Sequence, residues 1–185
     1  MEIEVKARLA DREAVMAKLV ALGCAFSEPK TQDDMVWTEK SGSLEEFLSS
    51  PVFMRIRVQN GTKVILTAKK PKQLTGAGSL VKREHEVVVD SAEEARSILE
   101  MLGLKEVVRV VKKRQTCGYD GYEICIDEIE GLGSFIELEK MGKKEDAEHI
   151  QGEMFEFLAS LGVSTEDHVY KGYDILMLEK QGAST

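Results

Sequence analysis

Short runs in which charged and apolar residues alternate recur along almost the whole of this 185-residue chain. A period of two sends successive side chains to opposite faces of a strand. Over 2–8, Glu2, Glu4, Lys6 and Arg8 therefore share one face, and Ile3, Val5, Ala7 and Leu9 share the other. Arg55 and Arg57 oppose Met54, Ile56 and Val58, while Thr67 and Lys69 oppose Leu66 and Ala68. Lys82, Glu84 and Glu86 share a face, as do Lys112 and Arg114. Glu123, Cys125 and Asp127 oppose Ile124 and Ile126, and Glu137 and Glu139 oppose Ile136 and Leu138.

The punctuation between these runs is equally regular. Asn60-Gly61 joins strands predicted over 52–59 and 62–69, and Asp120-Gly121 joins strands over 107–117 and 121–127. Both dipeptides are strong hairpin signals. Further strands are expected over 32–38, 81–89 and 134–140. Helices are expected from Asp11 to Leu22, from Ser91 or Ala92 to Leu102, and over 145–161, with a helical turn at 43–49. Residues 71–79, with Gly76 and Gly78, read as a mobile loop; 170–178 form a last short element and 179–185 a loose tail. A weak repeat links the halves. Glu2-x-Glu4-Val5, a helix and Leu22-Gly23 are echoed by Glu84-x-Glu86-Val87, a helix and Leu102-Gly103. The expectation is one α+β domain over 1–178, built from two similar halves.

An antiparallel sheet that buries one face and wets the other gives ordinary alternation, which explains any single strand. The set asks for more. Glutamate pairs two residues apart recur on three strands, and like charges packed on one face are unfavourable unless something neutralises them. If helices cover the apolar face and the sheet closes, the charged faces converge inside a barrel. That interior would hold eight acids (Glu2, Glu4, Glu84, Glu86, Glu123, Asp127, Glu137, Glu139) and eight bases (Lys6, Arg8, Arg55, Arg57, Lys69, Lys82, Lys112, Arg114). Both signs together suit a polyphosphate bound with a hard divalent cation such as Mg²⁺ or Mn²⁺.

Composition narrows the class. With 33 acidic against 25 basic side chains, the net charge of −8 argues against general nucleic-acid binding. No apolar run reaches the ~20 residues of a membrane-spanning helix, and the N-terminal residues lack a signal-peptide pattern. Cys24, Cys117 and Cys125 form no C-x-x-C pair and read as reduced thiols, so a cytoplasmic location is expected. His85, His149 and His168 are scattered singly, without zinc-ligand spacing. Gly76 and Gly78 lack the Lys-Ser/Thr of a phosphate-binding loop. Cys125, though on a charged face, reads as a small packing residue, and Trp37 as core.

Glu2-Ile3-Glu4-Val5-Lys6 resembles the E-x-E-x-K motif of the CYTH superfamily, the triphosphate tunnel metalloenzymes. Arg55-x-Arg57, Thr67-x-Lys69, Arg83-Glu84-x-Glu86, Lys112-x-Arg114, Asp127 and Phe135-Ile136-Glu137-Leu138-Glu139 follow in that family's order across essentially the whole chain. Gly131-Leu132-Gly133-Ser134-Phe135-x-Glu137 is most similar to the class IV adenylyl cyclase branch. The resemblance implies an eight-stranded antiparallel β-barrel, a tunnel flanked by helices. It implies Glu2, Glu4 and Glu137 as metal ligands with Glu139 beside them, and Lys6, Arg55, Arg57, Lys69, Lys112 and Arg114 as the grip on the triphosphate. Glu2, Glu4, Lys6 and Glu137 would form the catalytic set. Glu84, Glu86 and Asp127 would hold a second metal or orient the basic residues. Two departures concern the organic group of the substrate. Val36 replaces the aromatic residue of a Gln-x-Asp-x-Tyr pattern that keeps Gln32 and Asp34, and the C-terminal Ser-Tyr pair reads Gly172-Tyr173.

The implied reaction is cyclisation of ATP to cyclic AMP and pyrophosphate. The alternatives are hydrolysis of thiamine, inorganic or nucleoside triphosphate, and non-catalytic binding of a nucleotide or polyphosphate. Neither nucleic acid nor membrane is an expected partner, and a homodimer is the base-rate expectation.

Overall fold

The computed structural model describes residues 1–40, 43–70 and 83–182, so the expected loop over 71–79 and Lys82 lie outside the described residues. Eight strands are present: β1 (Glu2–Arg8), β2 (Lys30–Thr38), β3 (Phe53–Gln59), β4 (Lys63–Lys70), β5 (Arg83–Val89), β6 (Lys105–Tyr119), β7 (Tyr122–Ile129) and β8 (Gly133–Met141). Five α-helices accompany them: α1 (Arg12–Ala21), α2 (Leu44–Leu48), α3 (Ala92–Met101), α4 (Ala147–Ser160) and α5 (Tyr173–Gly182). The strands form one antiparallel sheet in the order β1-β8-β7-β6-β2-β3-β4-β5. Sequence patterning predicts closure into a barrel; the ladders among the described residues leave β1 and β5 at the two ends of an open order.

Local chemistry explains where the elements begin and turn. The side chains of Asp11, Ser43 and Ser91 each accept a hydrogen bond from a backbone N–H three residues on, capping α1, α2 and α3. Asn60-Gly61 and Asp120-Gly121 both take positive φ at each residue, which matches the twist of the flanking strands.

The described chain divides into two compact units. The first contains 1–29 and 113–170. Its core is the apolar face of β1, β7 and β8, with Ile3, Ile124, Ile126, Ile136 and Leu138 sealed against Leu19 of α1 and Met154 and Leu158 of α4. Full burial of side chains this size is worth about 1.5–3 kcal/mol each. The second unit contains the described residues of 30–112 together with 171–182. In it Met35, Trp37, Ile56 and Val64 pack with Ala95 and Leu99 of α3, while Val36, Phe47 and Val108 form a separate cluster with side chains of α5.

Three expectations need correction. α5 runs to Gly182, so residues 179–182 are helical and not part of a loose tail; Lys171 donates to Glu179 at 2.5 Å. Arg8, expected on the interior face, is exposed, where it donates to the Leu132 carbonyl and lies 4.8 Å from the Phe135 ring centroid. β5 is exposed along most of both faces, Val87 and Val88 included, because it ends the sheet order. No helix of the described residues is long and apolar enough to cross a membrane.

Candidate functional site

In the first unit, antiparallel register assembles what the sequence holds far apart. β1 pairs with β8 so that Glu4 faces Glu139 and Lys6 faces Glu137. β8 pairs with β7 so that Glu139 also faces Glu123, and Glu137 faces Cys125. Two cross-strand rows result: Glu4–Glu139–Glu123, and beside it Lys6–Glu137–Cys125. The first row sets carboxylates directly opposite one another, an unfavourable arrangement that a cation relieves.

The second row is already neutralised. Lys6 Nζ lies 2.9 Å from Glu137 and 3.1 Å from Glu4, with its side chain almost fully buried. Burial acts to lower the Lys6 pKa, but Glu137 and Glu4 overcome it and hold the ammonium above its ordinary range. Arg114 forms a fork with the fully buried Asp127, Nε to Oδ1 at 2.7 Å and a terminal nitrogen to Oδ2 at 2.5 Å. The same terminal nitrogen meets Glu137, and the other stands 3.9 Å from Glu139. Despite burial, Asp127 and Glu137 raise the Arg114 pKa, so this guanidinium stays charged.

Glu139 lies between two other carboxylates, Glu4 and Glu123, with Arg114 no nearer than 3.9 Å. Burial, then the charges of Glu137 and Glu2, push its carboxyl up to about 8. A half-buried carboxyl set among other carboxylates suits a divalent cation, because oxygen donors in number are what Mg²⁺ and Mn²⁺ take. The donors present therefore fit the implied metal. Glu2, also expected as a ligand, is exposed at the end of the ladder, opposite Met141.

The second unit carries the remaining expected groups. Arg57 forks onto the buried Asp34, with distances of 2.6 and 2.7 Å. Desolvation acts to raise the Asp34 pKa, but Arg57, Arg55 and Lys112 hold it below the usual carboxylate range. Arg55 donates to Thr67 Oγ1 at 3.1 Å and to Glu86 at 2.8 Å, and Thr67 donates to the same Glu86 oxygen at 3.0 Å. Burial and the neighbouring Arg57 charge lower the Arg55 pKa, and its buried Nε has no hydrogen-bond partner. Lys69 donates to Glu84 at 2.7 Å. Lys112 is buried, 5.0 Å from the ring centroid of Tyr173. An unpartnered guanidinium N–H beside a second arginine favours an anion, and phosphate oxygens are the match for that planar fork.

Each unit thus gathers its own share of the expected residues. Lys6, Arg114, Asp127, Glu4, Glu137 and Glu139 meet in the first; Arg55, Arg57, Lys69, Lys112, Glu84 and Glu86 lie in the second. Glu84, Glu86 and Asp127 each contact a basic side chain, Lys69, Arg55 and Arg114 respectively. Sequence reasoning left Asp34 out of the site, although Gln32 and Asp34 share a strand face and that spacing was its signal. Glu123 counts among the expected interior acids and Cys125 reads as a packing residue, with a ligand role for neither. Together with Glu139 they form a group of potential ligand atoms within 4.8 Å of one another.

The model of the CYTH domain family matches residues 1–173. A Methanocaldococcus jannaschii protein named "Putative adenylate cyclase MJ0240" is 32% identical over 174 residues, covering 94% of this chain and 96% of its own length. Among solved structures, the PH1819 protein of Pyrococcus horikoshii superposes with a TM-score of 0.79 at 28% identity, covering 97% of this chain and 99% of its own. "Putative adenylyl cyclase HpAC1" from Hippeastrum, described as having a dominant triphosphatase activity, superposes with a TM-score of 0.64 at 20% identity, covering 98% and 96%.

Proposed function

This chain belongs to the CYTH domain family, and from that premise we propose that it is a divalent-metal-dependent enzyme that converts ATP to cyclic AMP and pyrophosphate. In this reading Glu2, Glu4, Glu137 and Glu139 hold Mg²⁺ or Mn²⁺, and Lys6, Arg55, Arg57, Lys69, Lys112 and Arg114 bind the triphosphate. The observation that carries it is the row of facing carboxylates Glu4, Glu139 and Glu123, set beside the tightly paired Lys6 and Glu137. The unpartnered Nε of Arg55 supports the phosphate half of the reading.

The bound metal would supply charge neutralisation of phosphate oxygens and a lower pKa for an attacking hydroxyl. The protein's own groups do the rest. Lys6 and Arg114, held charged by their carboxylate partners, stabilise negative charge that grows on the phosphoryl oxygens. Arg55 and Arg57 orient the triphosphate for in-line attack. When the ribose 3′-hydroxyl attacks the α-phosphorus, its proton passes to solvent, the bond to the bridging oxygen breaks and pyrophosphate departs.

The second reading is triphosphate hydrolysis, in which water attacks the terminal phosphorus, the bond to the bridging oxygen breaks, the diphosphate leaves and the attacked phosphoryl group is released as orthophosphate. The activity described for the Hippeastrum protein, which shares this fold, is what favours keeping it. Simple anion binding is the weakest reading, since it would not need facing carboxylates. The deciding experiment incubates the protein with Mg²⁺ or Mn²⁺ and ATP, tripolyphosphate or thiamine triphosphate and separates the products. Cyclic AMP with pyrophosphate supports the cyclase and orthophosphate the hydrolase. Tight binding without turnover of any of the three would overturn both.

A further inference from the structure

Glu123, Cys125 and Glu139 offer two carboxylate oxygens and a thiol sulfur within 4.8 Å of one another. The strand register builds this set. Glu123 and Cys125 are two residues apart on one face of β7, and Glu139 lies directly across from Glu123 on β8. The three differ in exposure. Glu123 is exposed and Glu139 intermediate, whereas Cys125 is 0% exposed. A cation would arrive at the carboxylates from solvent and meet the sulfur at the base of the site.

Cys125 is unlike the other two cysteines. Cys24 and Cys117 lie in the apolar core of the first unit, where a thiol packs as a small hydrophobe. Cys125 faces carboxylates: its register partner is Glu137, and Asp127 follows it on the same strand face. Its buried sulfur has no hydrogen-bond partner among the described residues. A fully buried, unpartnered thiol aimed at two carboxylates does not suit an all-oxygen Mg²⁺ site. Thiolate is instead the donor that selects softer ions.

We propose that Glu123, Cys125 and Glu139 form a binding site for Zn²⁺ or a similarly thiophilic divalent ion, distinct in its donor set from the carboxylates proposed for Mg²⁺ or Mn²⁺. Three protein donors leave a fourth position for water, the arrangement of an open tetrahedral site. On binding, the Cys125 S–H bond breaks, a metal–sulfur bond forms and the proton passes to solvent. The ion also neutralises the facing Glu123 and Glu139. Because Glu139 belongs to both donor sets, Zn²⁺ occupancy competes with the activating metal. That consequence rests on the proposed function, but the binding itself does not.

The test titrates the metal-free full chain with Co²⁺ or Cd²⁺ and follows the thiolate-to-metal charge-transfer absorption, then displaces the probe with Zn²⁺. The band is expected in the wild type and in the C24S/C117S variant, and absent in Cys125→Ser. Loss of an outer-shell partner alone costs about 10–100-fold in metal affinity, so Cys125→Ser should weaken Zn²⁺ by at least about tenfold. Its Mn²⁺ affinity should stay within about twofold, since oxygen donors serve that ion. Glu123→Gln, at an exposed position that threatens no core packing, provides a second variant with the same expected selectivity. No charge-transfer band in the wild type overturns the site, as does a band that persists in Cys125→Ser. Equal loss of Zn²⁺ and Mn²⁺ in Glu123→Gln also overturns it. None of these readouts depends on turnover, so failure of the catalytic reading is distinguishable from failure of this one.

Discussion

Lys6 of β1 and Glu137 of β8 are register partners whose charged atoms stand 2.9 Å apart, each side chain less than a tenth exposed. Buried charges are tolerated only when compensated, and Glu137 receives that compensation from Lys6 and Arg114 together. Lys6→Met should therefore destabilise the protein by about 3 kcal/mol, the lower end for a broken buried pair, because Arg114 remains. Denaturant midpoints measure it. Lys6→Met/Glu137→Gln should recover part of the loss, and a double variant less stable than Lys6→Met would refute the coupling.

Glu4 faces Glu139 across the β1–β8 ladder and also contacts Lys6. Glu4→Gln keeps the shape and removes the charge. Metal-dependent turnover should drop by about a hundredfold or more, while the thermal midpoint stays near that of the wild type. Activity close to wild type would remove Glu4 from the metal-binding role.

The raised Glu139 carboxyl makes stability and metal binding depend on pH in opposite directions. Its folded-state pKa, about 8, lies above its ordinary 4.5, so the folded protein holds the proton more tightly than the unfolded chain. The resulting stabilisation is fully present below pH 4.5 and is lost as pH rises through 8. Mn²⁺ displaces that proton, so its affinity should climb over the same window and level off above it. Glu139→Gln should flatten both curves. Melting curves and isothermal titration between pH 5 and 9 check the pair, and an unchanged slope in Glu139→Gln would rule out this carboxyl as the source.

Arg55 donates to Thr67 and Glu86 and keeps a buried Nε with no partner. Arg55→Lys preserves the charge and loses the planar fork. KM for the triphosphate should rise about tenfold, equivalent to about 1.4 kcal/mol, with a smaller change in kcat. Equal KM in the two proteins would show that Arg55 does not touch the substrate.

Cys117 lies beside Cys24 in the apolar core, where burial and then that neighbour push its thiol up to about 12 from 9. Since only the thiolate reacts, alkylation of Cys117 in the folded protein at pH 8 should be at least about a hundredfold slower than in the unfolded chain. Mass spectrometry after timed iodoacetamide labelling reads the ratio.

Local patterning determined a large part of this protein. Alternation placed Ile3, Ile124, Ile136 and Leu138 on core faces, and Asn60-Gly61 and Asp120-Gly121 located two hairpins, because the strand period and left-handed turn residues act within a few positions. The same period of two groups Arg55 with Arg57, and Lys112 with Arg114, on charged strand faces. The glutamates of β5 show where that reasoning stopped: period two marked a face for Glu84 and Glu86, but only the sheet order made β5 an exposed end strand. Pairing between distant segments was equally out of reach. Glu4 meets Glu139 across 135 positions of sequence, and Glu139 meets Glu123 on its other side, through hydrogen-bond register alone. Register is a property of the folded sheet, and it separates Glu137, in contact with Lys6 and Arg114, from Glu139 two residues later, which faces Glu4 and Glu123. Tertiary structure thus decided which of these carboxylates meets a cationic side chain and which is set opposite other carboxylates, because pairing across a sheet is fixed only when distant strands come together.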